Sequence, residues 1–464
     1  MDLKSARNVH IIGIKGQGTT ALAQFLGAQG IRITGSDTEE KFTTDAILSA
    51  AGIPFVEHFA PENIPPDVDA VIYSTAYNEE NNAEMRAAKA RGMRLLSYPE
   101  ALGEILSTKV GLAVCGTHGK TTTTALLGTA LEMAGADPTV IVGSAVPQWN
   151  GNARIGKGEY MLIEADEYQD KLRFYAPWGA VLTSADWDHP DFFKNFASYK
   201  ETFKRFVSRI PKAGFLAVWG DSVDTQEVAE DASCKVLTYG FGEDNGYSIK
   251  GHRLEKDPAE GVGAKQVFEV VCQEDSLGFF ETKLSGKHNV LNAAAAIAVC
   301  HHMGLDMEKV RLAISVFAGT ARRFEYVGKR KGSILIDDFA HHPEEIRATL
   351  AGARAMFEKK RIVVVFHPHT FTRTKALLEE FAQSFDDADL VYVLDIYGSA
   401  RETQGGVSSQ DLVRLINRFI PNKAEHVPTV LEAVEVLEKI LGEGDVLITM
   451  GAGNVWEISH KLKD

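Results

Sequence analysis

One twelve-residue stretch constrains this chain more than any other: Ala113-Val114-Cys115-Gly116-Thr117-His118-Gly119-Lys120-Thr121-Thr122-Thr123-Thr124. The apolar run from Val110 to Cys115 predicts a buried strand, and the alanine- and leucine-rich run after Thr121 predicts a helix. Between them lies a glycine-bracketed turn followed by Lys-Thr. Backbone N–H groups of such a turn and of the helix start converge on a polyphosphate, Lys120 reaches the terminal phosphates, and Thr121 can hold Mg²⁺. A strict phosphate loop has glycine where Val114 stands, so this is a shortened form, Gly-Thr-His-Gly-Lys-Thr. The stretch reads as a nucleoside triphosphate site on a parallel α/β sheet.

The chain is too long for one such unit. Its 464 residues suggest about three domains. A net charge of −14 with no offsetting basic tract argues against a nucleic-acid partner. Four scattered cysteines, Cys115, Cys234, Cys272 and Cys300, suit a reducing cytoplasm and give neither a disulfide frame nor a zinc site. No apolar run is long enough for membrane insertion, and the polar start of the chain does not read as a signal peptide. A cytoplasmic enzyme, as a monomer or weak homodimer, is the expectation.

Near the N-terminus a short apolar strand ending at Gly13-Ile14 precedes Lys15-Gly16-Gln17-Gly18-Thr19-Thr20-Ala21 and a helix. Gly16-x-Gly18-x-x-Ala21 is similar to a dinucleotide fingerprint, and Asp37 ends the next strand about twenty residues on, where a ribose would be met. The motif alone does not separate NAD from another diphosphate ligand. Strands alternating with helices make residues 1–107 a first Rossmann-like domain. Residues 108–321 form the second, built on the phosphate loop. Two of its apolar strands run into acidic clusters, Glu164-Ala165-Asp166-Glu167 and Asp186-Trp187-Asp188-His189. Glu164 and His189 are candidate metal ligands there. Short alternating segments between Gly214 and Glu281 predict a smaller β portion. The asparagines of Lys287-His288-Asn289-Val290-Leu291-Asn292 open an alanine helix, where capping is the simpler physical reading.

Gly319 to Phe324 reads as a hinge into a third strand–helix domain, residues 322–464. Its strands run into Asp337-Asp338-Phe339-Ala340-His341-His342-Pro343, into His367-Pro368-His369-Thr370-Phe371-Thr372-Arg373-Thr374, into 395–402, and into Met450-Gly451-Ala452-Gly453. Four histidines with Arg373 at adjacent strand ends point to an anionic substrate.

These ordered motifs resemble the Mur ligases, the ATP-dependent amide-forming enzymes of peptidoglycan precursor synthesis, along the whole chain. The resemblance is carried by Gly-Thr-His-Gly-Lys-Thr (116–121), Glu-Ala-Asp-Glu-Tyr (164–168), Asp-His-Pro-Asp (188–191), Lys-His-Asn-Val-Leu-Asn-Ala (287–293), Arg-Arg-Phe (322–324) and the motifs of the third domain. It implies a UDP-sugar-binding first domain that uses Gly13, Lys15, Gly16, Gln17, Gly18, Ser36, Asp37, Ser74 and Thr75. It implies ATP on Gly116, Thr117, His118, Gly119, Lys120, Thr121 and Thr122, with Asn292 at the adenine and Arg323 and Asp338 closing over the nucleotide. Mg²⁺ would be held by Thr121, Glu164 and His189. The amino acid would be met by His341, His369 and Arg373, and catalysis would fall to Lys120, His189, His369 and Arg373.

Within the family the substrates implied are UDP-N-acetylmuramate and L-alanine. His-Pro-His-Thr-Phe-Thr-Arg-Thr and Ile-Tyr-Gly-Ser-Ala-Arg-Glu (396–402) resemble the alanine-adding branch, as does Phe203 where several branches carry a metal-bridging carbamylated lysine. Phe339 is closer to the recycling branch, which attaches a whole tripeptide to the same sugar. Lys15 stands where the family has glycine, Ser184-Ala185 where an asparagine-containing pair is expected, and His367 where glutamine is expected. A scaffold that kept the fold without catalysis, and an NAD-dependent dehydrogenase, are the other classes to be told apart.

Overall fold

The structure, a computed structural model, describes residues 3–256, 264–398, 402 and 405–464. Ser399, Ala400 and Arg401 of the 396–402 motif lie outside the described residues. The chain forms three α/β layers, each around its own sheet.

In the first, five parallel strands run in the spatial order third, second, first, fourth, fifth. The first strand, Asn8–Ile12, is almost wholly buried, as a strand covered by helices on both faces must be. It ends at Gly13, whose φ of +76° and close approach to Ser74 and the Tyr77 ring, 2.7 Å from a hypothetical Cβ, admit only glycine.

The second sheet has ten strands. Val110–Cys115 lies between Tyr160–Glu164 and Gly179–Leu182, parallel to both. The phosphate loop therefore emerges flanked by the two acidic loops, at the carboxyl edge where open α/β sheets bind ligands. The expected smaller β portion is the antiparallel end of this same sheet. There Tyr247–Lys256, Ala264–Cys272 and Asp275–Thr282 extend the order beyond Lys235–Gly240. The alanine helix spans Lys287–His302 and packs on the phosphate-loop helix Lys120–Met133. Its run of buried alanines, Ala293 to Ala296 and Ala298, lets the two helices approach closely inside the core.

The third sheet has six strands, parallel except for its first, Glu325–Arg330. Asp445–Met450 is buried throughout and sits between Ser333–Asp338 and Arg361–Phe366. That order brings Asp338, His367 and Gly451 to one edge. Among the described residues no helix is long and apolar enough to cross a membrane.

Candidate active site

The phosphate loop is shaped by its two glycines. Gly116 has φ +128° and a Cβ there would fall 2.3 Å from the Thr183 hydroxyl, and Gly119 has φ +78° with Asn292 Oδ1 only 2.6 Å from its Cβ position. The turn is sewn to the neighbouring strand end. The backbone N–H of His118 donates to Ser184 Oγ at 2.9 Å, and the Thr117 hydroxyl donates to the Asp186 carbonyl at 2.7 Å. Ser184, one of the pair that stands where an asparagine-containing pair is expected, thus supplies a side-chain acceptor to the loop.

Lys120 curls back over its own turn, donating to the Gly116 and Thr117 carbonyls and, at 2.9 Å, to Glu167 Oε2. Burial alone lowers the pKa of its ammonium, but Glu167, Asp166 and Glu164 outweigh burial and hold it above the ordinary lysine value. Glu167, which the sequence reading did not single out, is fully buried and also accepts the Tyr199 hydroxyl at 3.0 Å.

The three expected metal ligands fall into two neighbouring groups. The Thr121 hydroxyl donates to Glu164 Oε1 at 2.8 Å, and the other Glu164 oxygen accepts the Gly143 N–H at 2.6 Å. His189 instead joins Asp166 and Glu167, one ligand atom from each lying within 4.8 Å of the others. Its backbone φ of +56°, uncommon for a non-glycine residue, aims the imidazole there. Carboxylate and hydroxyl oxygens with one imidazole are donors that suit a hard divalent cation such as Mg²⁺.

The capping reading for Asn292 does not hold. The helix begins a full turn earlier, its N-cap is Gly286, and Asn292 is a buried second-turn residue facing Gly119. It lines a cavity of about 290 Å³ together with His118, Gly119, Thr122, Arg323 and Asp338. The third domain lines one side of the cavity, through Asp338, Glu345 and Thr349. Phe324 and Ala340 donate their N–H groups to the Asp338 carboxylate at 2.7 and 2.8 Å, and burial pushes its pKa up to about 6. Glu345, another residue the sequence reading passed over, takes the His118 imidazole at 3.2 Å and the His341 N–H at 3.0 Å.

The amino-acid residues do come together. Arg373 pairs with Asp188 of the central domain, reaches His369 Nδ1 at 3.4 Å and His189 Nδ1 at 3.5 Å, and the His341 and His369 rings lie 5.9 Å apart. Burial holds His341, His342 and His367 down to about 4, so they are neutral at pH 7. Phe339 packs against the Arg322 and Arg323 guanidiniums at 5.1 and 5.0 Å. Phe203 is a core residue, fully buried, with the Tyr199 ring 5.2 Å away.

In the first domain the glycine turn is formed, but three expected side chains, Lys15, Ser36 and Asp37, are buried and hydrogen-bonded within the protein. Lys15 is buried and its Nζ donates to the Thr38 and Glu40 carbonyls and to Glu57, at 2.9, 3.0 and 2.7 Å. Its ammonium is therefore not available to a phosphate. The Ser36 hydroxyl is fully buried and donates to Glu84. Asp37 accepts the Lys15 and Thr38 N–H groups and the Tyr77 hydroxyl, and Gln17 Oε1 accepts from Asn152 of the central domain. Gly16 and Gly18 keep the turn tight, the latter against the Tyr98 ring, and Ser74 and Thr75 border it at the end of Ala70–Tyr73.

A phosphate loop with buried carboxylates on either side, roofed by cationic and imidazole groups from a separate α/β domain, defines a nucleotide-dependent, multidomain transferase or ligase. Family descriptions match in order along the chain: Mur ligase family, catalytic domain over residues 8–110, Mur ligase middle domain over 114–300, and Mur ligase, glutamate ligase domain over 322–453. The chain belongs to the Mur ligase family. It is 41% identical to the UDP-N-acetylmuramate–L-alanine ligase of Desulfitobacterium hafniense, over 98% of this chain and 99% of that one. It is 38% identical to the enzyme of the same name from Caldanaerobacter subterraneus, over 100% and 98% of the two chains. Among solved structures, the UDP-N-acetylmuramate–alanine ligase of Thermotoga maritima superposes with a TM-score of 0.83 at 26% identity, covering 98% of both chains. A murein peptide ligase from Psychrobacter arcticus shares the fold with a TM-score of 0.73 at 24% identity, again over 98% of both.

Proposed function

We propose that this chain is an ATP-dependent ligase that joins L-alanine to UDP-N-acetylmuramate in peptidoglycan precursor synthesis. The observation that carries the reading is the meeting of Arg373 and His369 with Asp188 and His189 beside the phosphate loop, in a chain aligned end to end with alanine-adding relatives. Neither the recycling ligase nor a non-catalytic scaffold is favoured. The relatives at 35 to 41% identity are alanine ligases, and the loop lysine, acidic clusters and closing arginine are all in place. A dehydrogenase leaves the phosphate loop without a use.

In this reading residues 1–107 hold the UDP sugar, 108–321 bind ATP, and 322–464 bring the amino acid and close over the nucleotide. A carboxylate is a poor electrophile, so its oxygen first attacks the γ-phosphorus of ATP, giving an acyl phosphate and ADP. Lys120 exchanges Glu167 for the terminal phosphates and neutralises charge that develops during transfer. Thr121 and Glu164 would hold one Mg²⁺, with Asp166, Glu167 and His189 beside it. The ion would screen the phosphate charges. The free amine of alanine then attacks the acyl carbon and phosphate leaves. Arg373 and His369 orient the amino acid and face the oxygens of the tetrahedral intermediate. The roof formed by Asp338, Glu345 and His341 keeps water from the acyl phosphate. The enzyme acts on small molecules in the cytoplasm, as a monomer or weak homodimer and without a nucleic-acid partner.

The test is phosphate release from ATP, Mg²⁺ and UDP-N-acetylmuramate, comparing L-alanine with the L-Ala-γ-D-Glu-diaminopimelate tripeptide. Release with alanine, and a product heavier by one alanyl residue, is expected. Release with tripeptide alone would overturn the assignment.

A further inference from the structure

Lys15 has no ligand-binding use in the site above, yet it is among the most completely buried large side chains of the chain. Its ammonium is caged by the carbonyls of Thr38 and Glu40 and by Glu57, and lies 5.3 Å from the centre of the Phe55 ring. Two donated hydrogen bonds therefore fix the backbone of residues 38–40. The side chain of Glu40 leaves that loop and crosses to the third domain, where Glu40 Oε1 accepts the Tyr397 hydroxyl at 2.9 Å.

Tyr397 in turn is built into the amino-acid site. Its ring stacks on His369, centroids 5.7 Å apart and planes inclined by 27°, and stands edge-on to His367 at 5.6 Å. Its backbone pins the same loop twice. The Tyr397 N–H donates to the Pro368 carbonyl, and the Thr370 N–H donates to the Tyr397 carbonyl, both at 2.9 Å. Thr370 sits there at φ +66°, a conformation that a β-branched residue keeps only when its surroundings hold it.

We infer that Tyr397 is a positioning residue for His369, and that the Glu40–Tyr397 bond, braced from below by Lys15, makes the amino-acid site depend on the UDP-sugar domain. The inference rests on the ligase reading above, in which His369 meets the incoming amine. A contact between the first and third domains at this point aligns the amine with the sugar carboxyl only when both domains are seated on the central one. Lys15 in place of glycine is then a strut for the loop that makes the contact.

The experiment uses the full chain and whichever amine, alanine or tripeptide, the unsubstituted protein turns over. Glu40 is exposed, so Glu40→Ala leaves the fold intact. Tyr397→Phe keeps the ring on His369 and removes only the hydroxyl. Each is expected to raise KM for the amine about 5-fold, the scale of one lost hydrogen bond. KM for ATP and for the UDP sugar should stay within about 2-fold. The double variant should be no worse than either single one, because both break the same bond. Glu40→Gln, whose amide oxygen still accepts the hydroxyl, should restore the unsubstituted value. An unchanged amine KM in both single variants, or additive effects, overturns the inference alone. Silence of the unsubstituted protein with both amines overturns the ligase reading and this inference with it.

Discussion

The Arg373 guanidinium grips the Asp188 carboxylate across the boundary between the third and central domains, through Nε and Nη2 contacts of 3.0 to 3.2 Å. Both side chains are nearly buried, at 6% and 8% exposure. Removing one partner of such a pair leaves a desolvated charge, a loss of about 3–5 kcal/mol. At a domain boundary the chain can relieve that loss by separating the domains. Arg373→Ala should therefore expand the particle in small-angle scattering and lower kcat/KM by about 10²–10³-fold. Asp188→Asn should give the same expansion. An unexpanded, active Arg373→Ala enzyme would refute the role.

Divalent metal dependence should track Glu164. Its two oxygens are already committed to Thr121 and Gly143, so the carboxylate is held in place before any ligand arrives. Chelation with EDTA should abolish phosphate release, and added Mg²⁺ should restore it. Glu164→Gln keeps the shape but replaces the anionic carboxylate by a neutral amide, and should raise the Mg²⁺ concentration for half-maximal activity about 10-fold or more. A Mg²⁺ titration that overlays the unsubstituted one would remove Glu164 from the metal site.

Much of this arrangement was legible in the sequence because strand ends in doubly wound sheets carry the chemistry. The apolar runs before Gly116, Glu164, Ser184, Asp338 and His367 all proved to be strands, and those polar residues stand at the carboxyl edges of their sheets. What escaped was contact between distant segments. Glu167 and Glu345 look like any other acidic residue until the fold sets them against Lys120 and His118. Lys15 and Ser36 lay in the right motif, but their side chains point into the core, and a fingerprint fixes backbone positions rather than side-chain directions. The simpler capping reading of Asn289 and Asn292 fails because the helix starts upstream, at a glycine that gives no side-chain signal.

Gly119 offers a sharp test of the loop geometry. Its φ of +78° costs a non-glycine residue about 1–2 kcal/mol, and a Cβ would also press on Asn292 at 2.6 Å. Gly119→Ala should lower stability by that amount and raise KM for ATP about 10-fold or more, while KM for the UDP sugar, bound on another domain, stays unchanged. An alanine variant with normal ATP affinity would mean that the loop does not bind in this conformation.

Acid should destabilise this protein well above the ordinary carboxylate range. Burial holds His288, His341, His342 and His367 down to about 4 in the folded chain, against about 6.5 when unfolded. Below pH 6.5 the unfolded chain takes up protons that the folded chain refuses. The stability these groups carry is thus complete above pH 6.5 and is lost progressively as pH falls toward 4. Each contributes a slope of about 1.4 kcal/mol per pH unit within that window. His367 isolates the effect, since among the described residues its Nδ1 has no hydrogen-bond partner and the family glutamine cannot titrate. His367→Gln should match the parent in urea at pH 7 and exceed it by about 2 kcal/mol at pH 5, once one proton's uptake is removed. Parallel pH profiles for the two proteins would show that His367 takes up its proton in the fold as readily as in the unfolded chain, and that its burial does not govern its proton.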